Sequence, residues 1–225
     1  MELKVIAHIE SDFPEKFGIP RQSGLVNSAK ARIVFCSAYR NVDALRGLEQ
    51  YTHLWLIWQF SEAVRDEWSP TVRPPRLGGN KRMGVFATRS PFRPNPLGLS
   101  SVKIESIDFD TRKGPVITVS GADLMDGTPI YDIKPYLPYV DSHPEASNGF
   151  ALSDKNVLLE VIASDELLSK IPEDKRKALL DTLAQDPRPQ YQNEPERIYT
   201  MSFSSFDVSF TVKEDTLTIC DIVNI

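Results

Sequence analysis

The 225-residue sequence contains few of the residues that build disulfide frameworks and metal centres. It has two cysteines, Cys36 and Cys220, and three histidines, His8, His53 and His143. Two cysteines are too few for a disulfide framework, and the histidines are not spaced as metal ligands. We therefore expect no metal site.

Long apolar runs are also lacking. The longest, Leu54 to Phe60, spans about seven residues and includes Gln59, whereas a membrane-spanning helix needs about 18. The first residues, MELKVIAHIESD, lack the basic flank and apolar block of a signal peptide. We expect a cytoplasmic protein that does not associate with membranes. Because 41% of the residues are hydrophobic and 25% charged, the chain can bury a core.

Several catalytic and nucleotide-binding motifs are missing. The sequence has no G-x-G-x-x-G, no G-x-x-x-x-G-K-[ST], no H-E-x-x-H and no G-x-S-x-G. These absences argue against a Rossmann domain, a P-loop, a zincin and a serine hydrolase of the nucleophile-elbow type. The net charge of −5 argues against a protein that coats nucleic acid over its whole surface, but it permits a local basic patch.

Residues 69–100 form such a basic segment. They include six of the 26 basic residues, six of the 17 prolines and none of the 31 acidic residues. Proline and glycine predict a stiff, ordered loop, and loops on a rigid scaffold commonly carry function. A Pro-rich linker with a solvated basic face is the alternative, which we disfavour because Met83–Ala87 has the pattern of a buried strand.

The remaining pattern predicts a mainly β protein with two units. Short strands without long intervening helices favour a barrel or sandwich over residues 1–142. Residues 143–155 contain few large apolar side chains and are typical of a linker. Residues 156–225 predict a small α+β domain, with a strand over 157–162, a helix from about Pro172 to Ala184 and a C-terminal hairpin that turns at Glu214-Asp215.

Four polar constellations are candidate site elements. They are Pro20-Arg21-Gln22, in a stiff turn; Ser61-Glu62, at the end of the apolar strand; the string with Arg89 and Arg93; and DGTPIYDIKPYLPYVD, from Asp126 to Asp141. Arginine binds carboxylates in a bidentate manner, and glutamine offers both a donor and an acceptor. These residue types suit a polar, zwitterionic or anionic small ligand beside a basic surface, but they do not define the reaction.

The strings GVFATRSPFRPNPLGLS and DLMDGTPIYDIKPYLPYVDS resemble the signature segments of the TsaA-like β-barrel proteins, a family of bacterial tRNA (adenine-37-N6)-methyltransferases. KFGIPRQSGLV, LRGLEQYTHLWL and AQDPRPQY fit the same family, so the resemblance spans nearly the whole chain. It implies a small β-barrel main domain, S-adenosylmethionine as cofactor and a homodimer. It also implies a substrate adenosine that already carries N6-threonylcarbamoyl, in a threonine tRNA.

The resemblance also implies which residues bind the cofactor. Arg21 or Arg89 would bind its carboxylate, and Leu99 would cover its adenine. The full implied set is Pro20, Arg21, Gln22, Ser61, Glu62, Arg89, Leu99, Asp126, Gly127, Thr128 and Pro129. A catalytic base is not identified: Asp126, Asp132, Asp141 and the carboxylate of the substrate's threonyl group are all candidates.

We further expect a local basic patch that contacts the phosphates of the tRNA anticodon stem-loop. Its residues are Arg73, Arg76, Lys81, Arg82 and Arg93. Two other functions remain open at this point. One is a non-catalytic barrel that senses S-adenosylmethionine or a nucleotide and binds RNA. The other is a small-molecule methyltransferase or hydrolase, which would not need an acid-free loop.

Overall fold

A computed structural model describes residues 2–74, 77, 79–151, 158–188 and 194–225. A closed six-stranded barrel occupies the first part of the chain, so the predicted barrel is confirmed. Its strands are β1 (Ala7–Glu10), β2 (Lys30–Phe35), β3 (His53–Gln59), β6 (Leu97–Asp108), β7 (Val116–Ser120) and β8 (Pro129–Pro135). They follow one another around the barrel in the order β1-β2-β7-β6-β3-β8, and neighbouring strands are antiparallel. A separate two-stranded ribbon consists of β4 (Thr71–Val72) and β5 (Met83–Gly84).

Strand β3 shows why this sequence closes into a barrel. Leu54, Leu56 and Trp58 alternate with partly exposed residues and are at most 5% exposed. The period of two directs these three side chains into the barrel core. Hydrogen bonding to β6 on one side and β8 on the other leaves β3 without a free edge.

The second unit is a four-stranded sheet with helices beside it. Its strands are β9 (Glu160–Ile162), β10 (Tyr199–Phe203), β11 (Phe206–Lys213) and β12 (Thr216–Asn224). They neighbour one another in the order β10-β11-β12-β9. The described residues form the α-helices α1 (Pro138–Asp141), α2 (Asp165–Ser169) and α3 (Glu173–Ala184). Short 3-10 helices lie at Ser37–Tyr39, Val42–Leu45, Leu48–Gln50, Ser61–Ala63, Val85–Ala87 and Gly149–Ala151. None of the helices in the described ranges is long and apolar enough to cross a membrane.

In the second unit, the helix follows its sequence pattern more closely than the first strand. The strand predicted over 157–162 is shorter, since β9 spans Glu160–Ile162 and residue 157 lies outside the described residues. Pro172 is the N-cap of α3, and Glu173 and Asp174 lie in the first turn, where carboxylates interact favourably with the helix dipole. The predicted hairpin is also confirmed, with Glu214 at φ +53 in its turn.

The segment between β1 and β2 joins the two units. Phe13, Val26 and Ala29 belong to the hydrophobic cluster of the C-terminal sheet. Phe13 packs edge-on against Phe203, with ring centroids 5.9 Å apart. Gly18 lies so close to Met201 that a Cβ on Gly18 would be 2.2 Å from the Met201 sulfur. The loop before β2 therefore rests on the C-terminal unit.

The predicted buried strand at Met83–Ala87 is wrong in length and burial. The strand β5 contains Met83 and Gly84 alone, and a 3-10 turn follows. Val85 is buried, but Phe86 is 72% exposed. The apolar run that suggested a core strand places one side chain inward and one outward, because the backbone turns there.

Candidate functional site

A cavity of about 770 Å³ opens where β3 ends and β6 begins. The chain leaves the barrel after Gln59 and returns at Leu97, and the amide of Phe60 donates to the Pro96 carbonyl across this gap (2.8 Å). Four regions line the cavity: the loop 16–22, the end of β3 with the turn after it, the loop 89–95 with the start of β6, and the segment 123–128. Its volume lies in the range of small-molecule sites.

The turn Pro20-Arg21-Gln22 lines one wall of the cavity. Arg21 Nη2 donates to the main-chain carbonyls of Asp186 (2.9 Å) and Arg188 (3.1 Å), so the C-terminal unit supports this wall. The Asp186 carboxylate accepts hydrogen bonds from Arg188 Nε (2.8 Å) and Nη2 (2.9 Å). That pairing raises the pKa of Arg188 above its usual value. It also links the two residues whose carbonyls accept from Arg21.

Arg89 faces this turn from the opposite loop. Its Nη1 donates a hydrogen bond to Gln22 Oε1. The contact joins two segments 67 residues apart, so two predicted cofactor-binding elements meet in the structure. Leu99, also predicted, is 57% exposed on β6 and lines the same cavity.

Ser61 and Glu62 lie at the rim of the cavity, in the 3-10 turn that follows β3. Both residues are exposed. The Glu62 carboxylate pairs with Lys16 Nζ at 3.1 Å, and the Glu62 main-chain carbonyl accepts from the same nitrogen at 3.4 Å. The pair joins this rim to the loop that leads to Arg21.

The predicted string Asp126–Pro129 is only partly in the cavity. Thr128 is buried and lines it, with its hydroxyl bonded to the Met125 carbonyl at 2.7 Å. Asp126, Gly127 and Pro129 are not among the lining residues. Asp126 Oδ1 accepts from the Ser11 amide at 2.9 Å, and Gly127, at φ +74, forms the turn.

Asp123 is a lining residue that the sequence analysis missed. Its Oδ1 accepts a hydrogen bond from the Ser100 hydroxyl at 2.5 Å, and Ser100 in turn accepts from Trp58 Nε1 at 3.0 Å. Burial raises the pKa of Asp123 above its ordinary value, against the lowering effects of Ser100, the Ser23 amide and Arg89. The available signal in the sequence was one carboxylate between two apolar residues, Ala122 and Leu124.

The other candidate bases lie outside the cavity. Asp132 pairs with Lys134 Nζ at 2.8 Å. Asp141 accepts from the Leu137 amide (2.8 Å) and from Trp55 Nε1 (2.9 Å), and these bonds lower its pKa. Neither carboxylate is among the residues that line the cavity.

The basic segment contributes both to the cavity and to the surface beside it. Arg93 lines the cavity and donates to the Thr88 carbonyl at 3.2 Å. The pairing of Val72 with Met83 places Arg73 and Arg82 at the same end of the ribbon, and both are exposed, as is Lys81. Arg76 lies outside the described residues.

These cations are not neutralised by neighbouring acids. In the part of the chain that the structure describes, Arg73, Lys81, Arg82 and Arg93 form no ion pair. Over the same described ranges, no group of three or more histidine, cysteine, aspartate or glutamate side chains is arranged to hold a metal ion.

A closed barrel whose loops bring arginines, a desolvated carboxylate and aromatic side chains around one cavity defines a β-barrel protein with a site for a charged small molecule. Two family models match the chain: the tRNA-methyltransferase O N-terminal domain over residues 8–142 and the TrmO C-terminal domain over residues 156–225. The chain belongs to the tRNA-methyltransferase O family.

Individual relatives agree with this assignment. A tRNA (adenine(37)-N6)-methyltransferase of Escherichia coli K12 is 41% identical over 221 residues, 95% of this chain and 94% of the relative. One of the same name from Eikenella corrodens is 48% identical over 165 residues, 73% of this chain and 92% of the relative. A crystal structure of TrmO from Pseudomonas aeruginosa superposes with a TM-score of 0.80 at 34% identity, covering 100% of this chain and 97% of the other.

Proposed function

We propose that this protein is an S-adenosylmethionine-dependent enzyme that methylates N6 of the adenine at position 37 of tRNA. The observation that carries the proposal is the meeting of Gln22 and Arg89 at a cavity in a chain of this family. The non-catalytic alternative is not favoured, because full-length relatives carry the name of the methyltransferase.

The cavity fits the cofactor. S-adenosylmethionine has a carboxylate, for which Arg21 and Arg89 offer guanidinium donors. It also has positively charged groups, which suit a cavity lined by the rings of Trp55 and Phe60. The exposed side chain of Leu99 offers an apolar surface for the adenine. When bound, the cofactor supplies an electrophilic methyl group.

The chain's own residues contribute positioning. Methyl transfer is a direct displacement, so holding the two reactants in line provides much of the rate enhancement without a covalent enzyme intermediate. Arg21 is held by carbonyls of the C-terminal unit and Arg89 by Gln22, so both guanidinium groups have defined positions before a ligand arrives. Such preorganisation reduces the entropic cost of binding.

The substrate in this proposal is more specific than an adenine. The adenosine carries N6-threonylcarbamoyl, and the tRNA is a threonine tRNA, as the resemblance implies. The protein acts in the cytoplasm as a homodimer, a state that sedimentation at several concentrations would test.

The deciding experiment is mass spectrometry of nucleosides after incubation of the protein with S-adenosylmethionine and tRNA. We expect one added methyl group on threonylcarbamoyladenosine, and none with tRNA that lacks the threonylcarbamoyl group. Methylation of unmodified adenosine would contradict the proposal that threonylcarbamoyladenosine is the substrate. Cofactor binding without methyl transfer to any tRNA would contradict the enzyme and favour the non-catalytic alternative.

The same proposal assigns the cations Arg73, Lys81, Arg82 and Arg93, together with Arg76, to the phosphates of the anticodon stem-loop. Replacing Lys81 and Arg82 by glutamate should weaken tRNA binding and reduce the steepness of its salt dependence by about one unit for each lost phosphate contact. Lys213→Glu, in the exposed end of β11, is the matched control. If the affinity for tRNA were unchanged at both low and moderate salt, the basic patch would not be a tRNA-binding surface.

A further inference from the structure

We propose that Asp123 is the general base that removes the proton from the target nitrogen of the RNA. This inference rests on the proposed function. Among the described residues that line the cavity, two are acidic, Glu62 and Asp123. Glu62 is paired with Lys16 at the exposed rim. Asp123 is less exposed than Glu62.

A chain of two hydrogen bonds orients the Asp123 carboxylate. Trp58 Nε1 donates to Ser100 Oγ (3.0 Å), so the Ser100 hydroxyl directs its own proton to Asp123 Oδ1 (2.5 Å). Ser100 and Trp58 are 1% and 5% exposed, which fixes both partners in the barrel wall. A base oriented by a second group, which is oriented by a third, is the arrangement that makes proton removal efficient.

The chemistry needs a group of this kind. The target nitrogen of a carbamoylated adenine is urea-like, so its lone pair is delocalised and it is a weak nucleophile. In the proposed step, Asp123 accepts the proton of the N6–H bond. The electron pair of that bond forms the new bond to the methyl carbon. The pair of the carbon–sulfur bond stays on sulfur, which becomes a neutral thioether, so charge and atoms balance.

The electrostatic surroundings set how Asp123 responds to pH. The charged side chains that line the same cavity are Lys16, Arg21, Glu62, Arg89 and Arg93. Arg89 lowers the pKa of Asp123, as do the bonds from Ser100 and the Ser23 amide, but burial outweighs them and the pKa is raised. A carboxylate with a raised pKa is a stronger base than an ordinary one, and general bases are commonly tuned in this way.

The test compares Asp123→Asn with Asp110→Asn. Asp110 is exposed just after β6 and does not line the cavity. We expect Asp123→Asn to lower kcat by about 100- to 10,000-fold and to remove the acid limb of the kcat/KM profile. Calorimetry should give a dissociation constant for S-adenosylmethionine within about twofold of that of the wild type. Asp110→Asn should retain its kcat within about twofold.

A second readout does not depend on activity. Because the pKa of Asp123 is raised in the folded protein, ionisation destabilises the fold as pH rises from the unfolded value through the folded value. The stability of Asp123→Asn relative to the wild type should therefore increase as pH rises above about 3.8. If the difference in stability between the two proteins did not change with pH, a raised pKa of Asp123 would be contradicted.

Ser100→Ala provides an independent variant. Loss of the Ser100 hydrogen bond should raise the pKa of Asp123 further and shift the acid limb of kcat/KM to higher pH. Retention of more than about one tenth of kcat in Asp123→Asn would overturn the assignment. So would a dissociation constant raised about tenfold or more with kcat unchanged at saturation, because Asp123 would then be a cofactor contact. A wild-type protein that methylates no tRNA would instead refute the proposed function.

Discussion

The barrel and the C-terminal unit differ in where their buried hydroxyl groups lie. In the barrel, Ser100 and Thr128 border the cavity, whereas the Ser120 hydroxyl bonds to Glu105 away from it. In the C-terminal unit, the buried Thr182 hydroxyl bonds to the Ala178 carbonyl of its own helix at 2.7 Å. Two buried hydroxyl groups of the barrel therefore lie at the candidate ligand site, whereas that of α3 is satisfied within its own helix.

The comparison assigns different roles to the two units. The barrel supplies most of the cavity wall, and the C-terminal unit holds the loop that completes it, through the carbonyls of Asp186 and Arg188. A substitution in the C-terminal core should mainly affect stability, and one in the cavity should mainly affect ligand binding.

The largest effect on stability is expected for Phe210→Ala. Phe210 is fully buried and stacks on Tyr199 with ring centroids 5.8 Å apart. Loss of a buried phenylalanine side chain should lower the free energy of unfolding by about 3–5 kcal/mol, as measured by urea denaturation. Phe109→Ala is the control, because Phe109 is 43% exposed and its loss should change stability by about 0.5 kcal/mol or less. Equal effects of the two variants would refute the tight C-terminal core.

Arg89→Ala should change ligand binding instead. Removing the guanidinium should cost about 1.5–3 kcal/mol of binding, a rise of about 10- to 150-fold in the dissociation constant for S-adenosylmethionine by calorimetry. Arg32→Ala is the matched control, since Arg32 is exposed on β2 and pairs with Glu10 at 3.3 Å. Unchanged affinity in Arg89→Ala would remove Arg89 from the cofactor site.

Gly18→Ala tests the contact between the units. Gly18 has φ +97 and no room for a Cβ beside Met201, whereas Gly24 has φ +80 and open space around it. Backbone strain should lower the free energy of unfolding of both alanine variants by about 1–3 kcal/mol. Gly18→Ala should lower it further because the new Cβ clashes with Met201. When Met201 is already replaced by alanine, Gly18→Ala should no longer show this additional loss. If thermal or urea unfolding showed no excess for Gly18, the loop would not rest on Met201.

The smallest effect is expected for Asp141→Asn, at the end of the barrel domain. The bonds from the Leu137 amide and Trp55 Nε1 hold the pKa of Asp141 below its ordinary 3.8. The ionised group therefore stabilises the fold above pH 3.8, and this stabilisation is lost as pH falls through the lower folded value. Urea denaturation should show the variant to be less stable near neutral pH, with the difference shrinking under acid. If the difference in stability between variant and wild type persisted unchanged in acid, the lowered pKa of Asp141 would be contradicted.

Prediction from sequence worked best where the pattern is local. The hairpin of β11 and β12 and the helix α3 follow from alternation, a proline and acidic residues in the first turn. The domain limits at 142 and 156 stay a prediction, although Phe13, Val26 and Ala29, which precede residue 142, pack in the hydrophobic core of the C-terminal unit. The error at Met83–Ala87 arose because an apolar run does not reveal where the backbone turns.

For the site, the motifs identified Pro20, Arg21, Gln22, Ser61, Glu62, Arg89, Leu99 and Thr128, and the structure brings all of these to one cavity. Asp123 was missed, and Asp126, which accepts from the Ser11 amide, is not among the lining residues, so its role stays a prediction. The two carboxylates are three residues apart in a chain segment that turns, so neighbouring positions face different surroundings.

The sequence alone determined the strand alternation, the stiff acid-free segment and the residue types of the ligand site, because these depend on nearest neighbours and composition. Tertiary structure alone decided which carboxylate lies in the cavity, and that the C-terminal unit holds Arg21. Ser100 and Asp123 are 23 positions apart in the chain. Arg21 is more than 160 positions from Asp186 and Arg188, whose carbonyls accept its hydrogen bonds. Burial and hydrogen bonding over such separations arise only when the barrel closes and its loops pack.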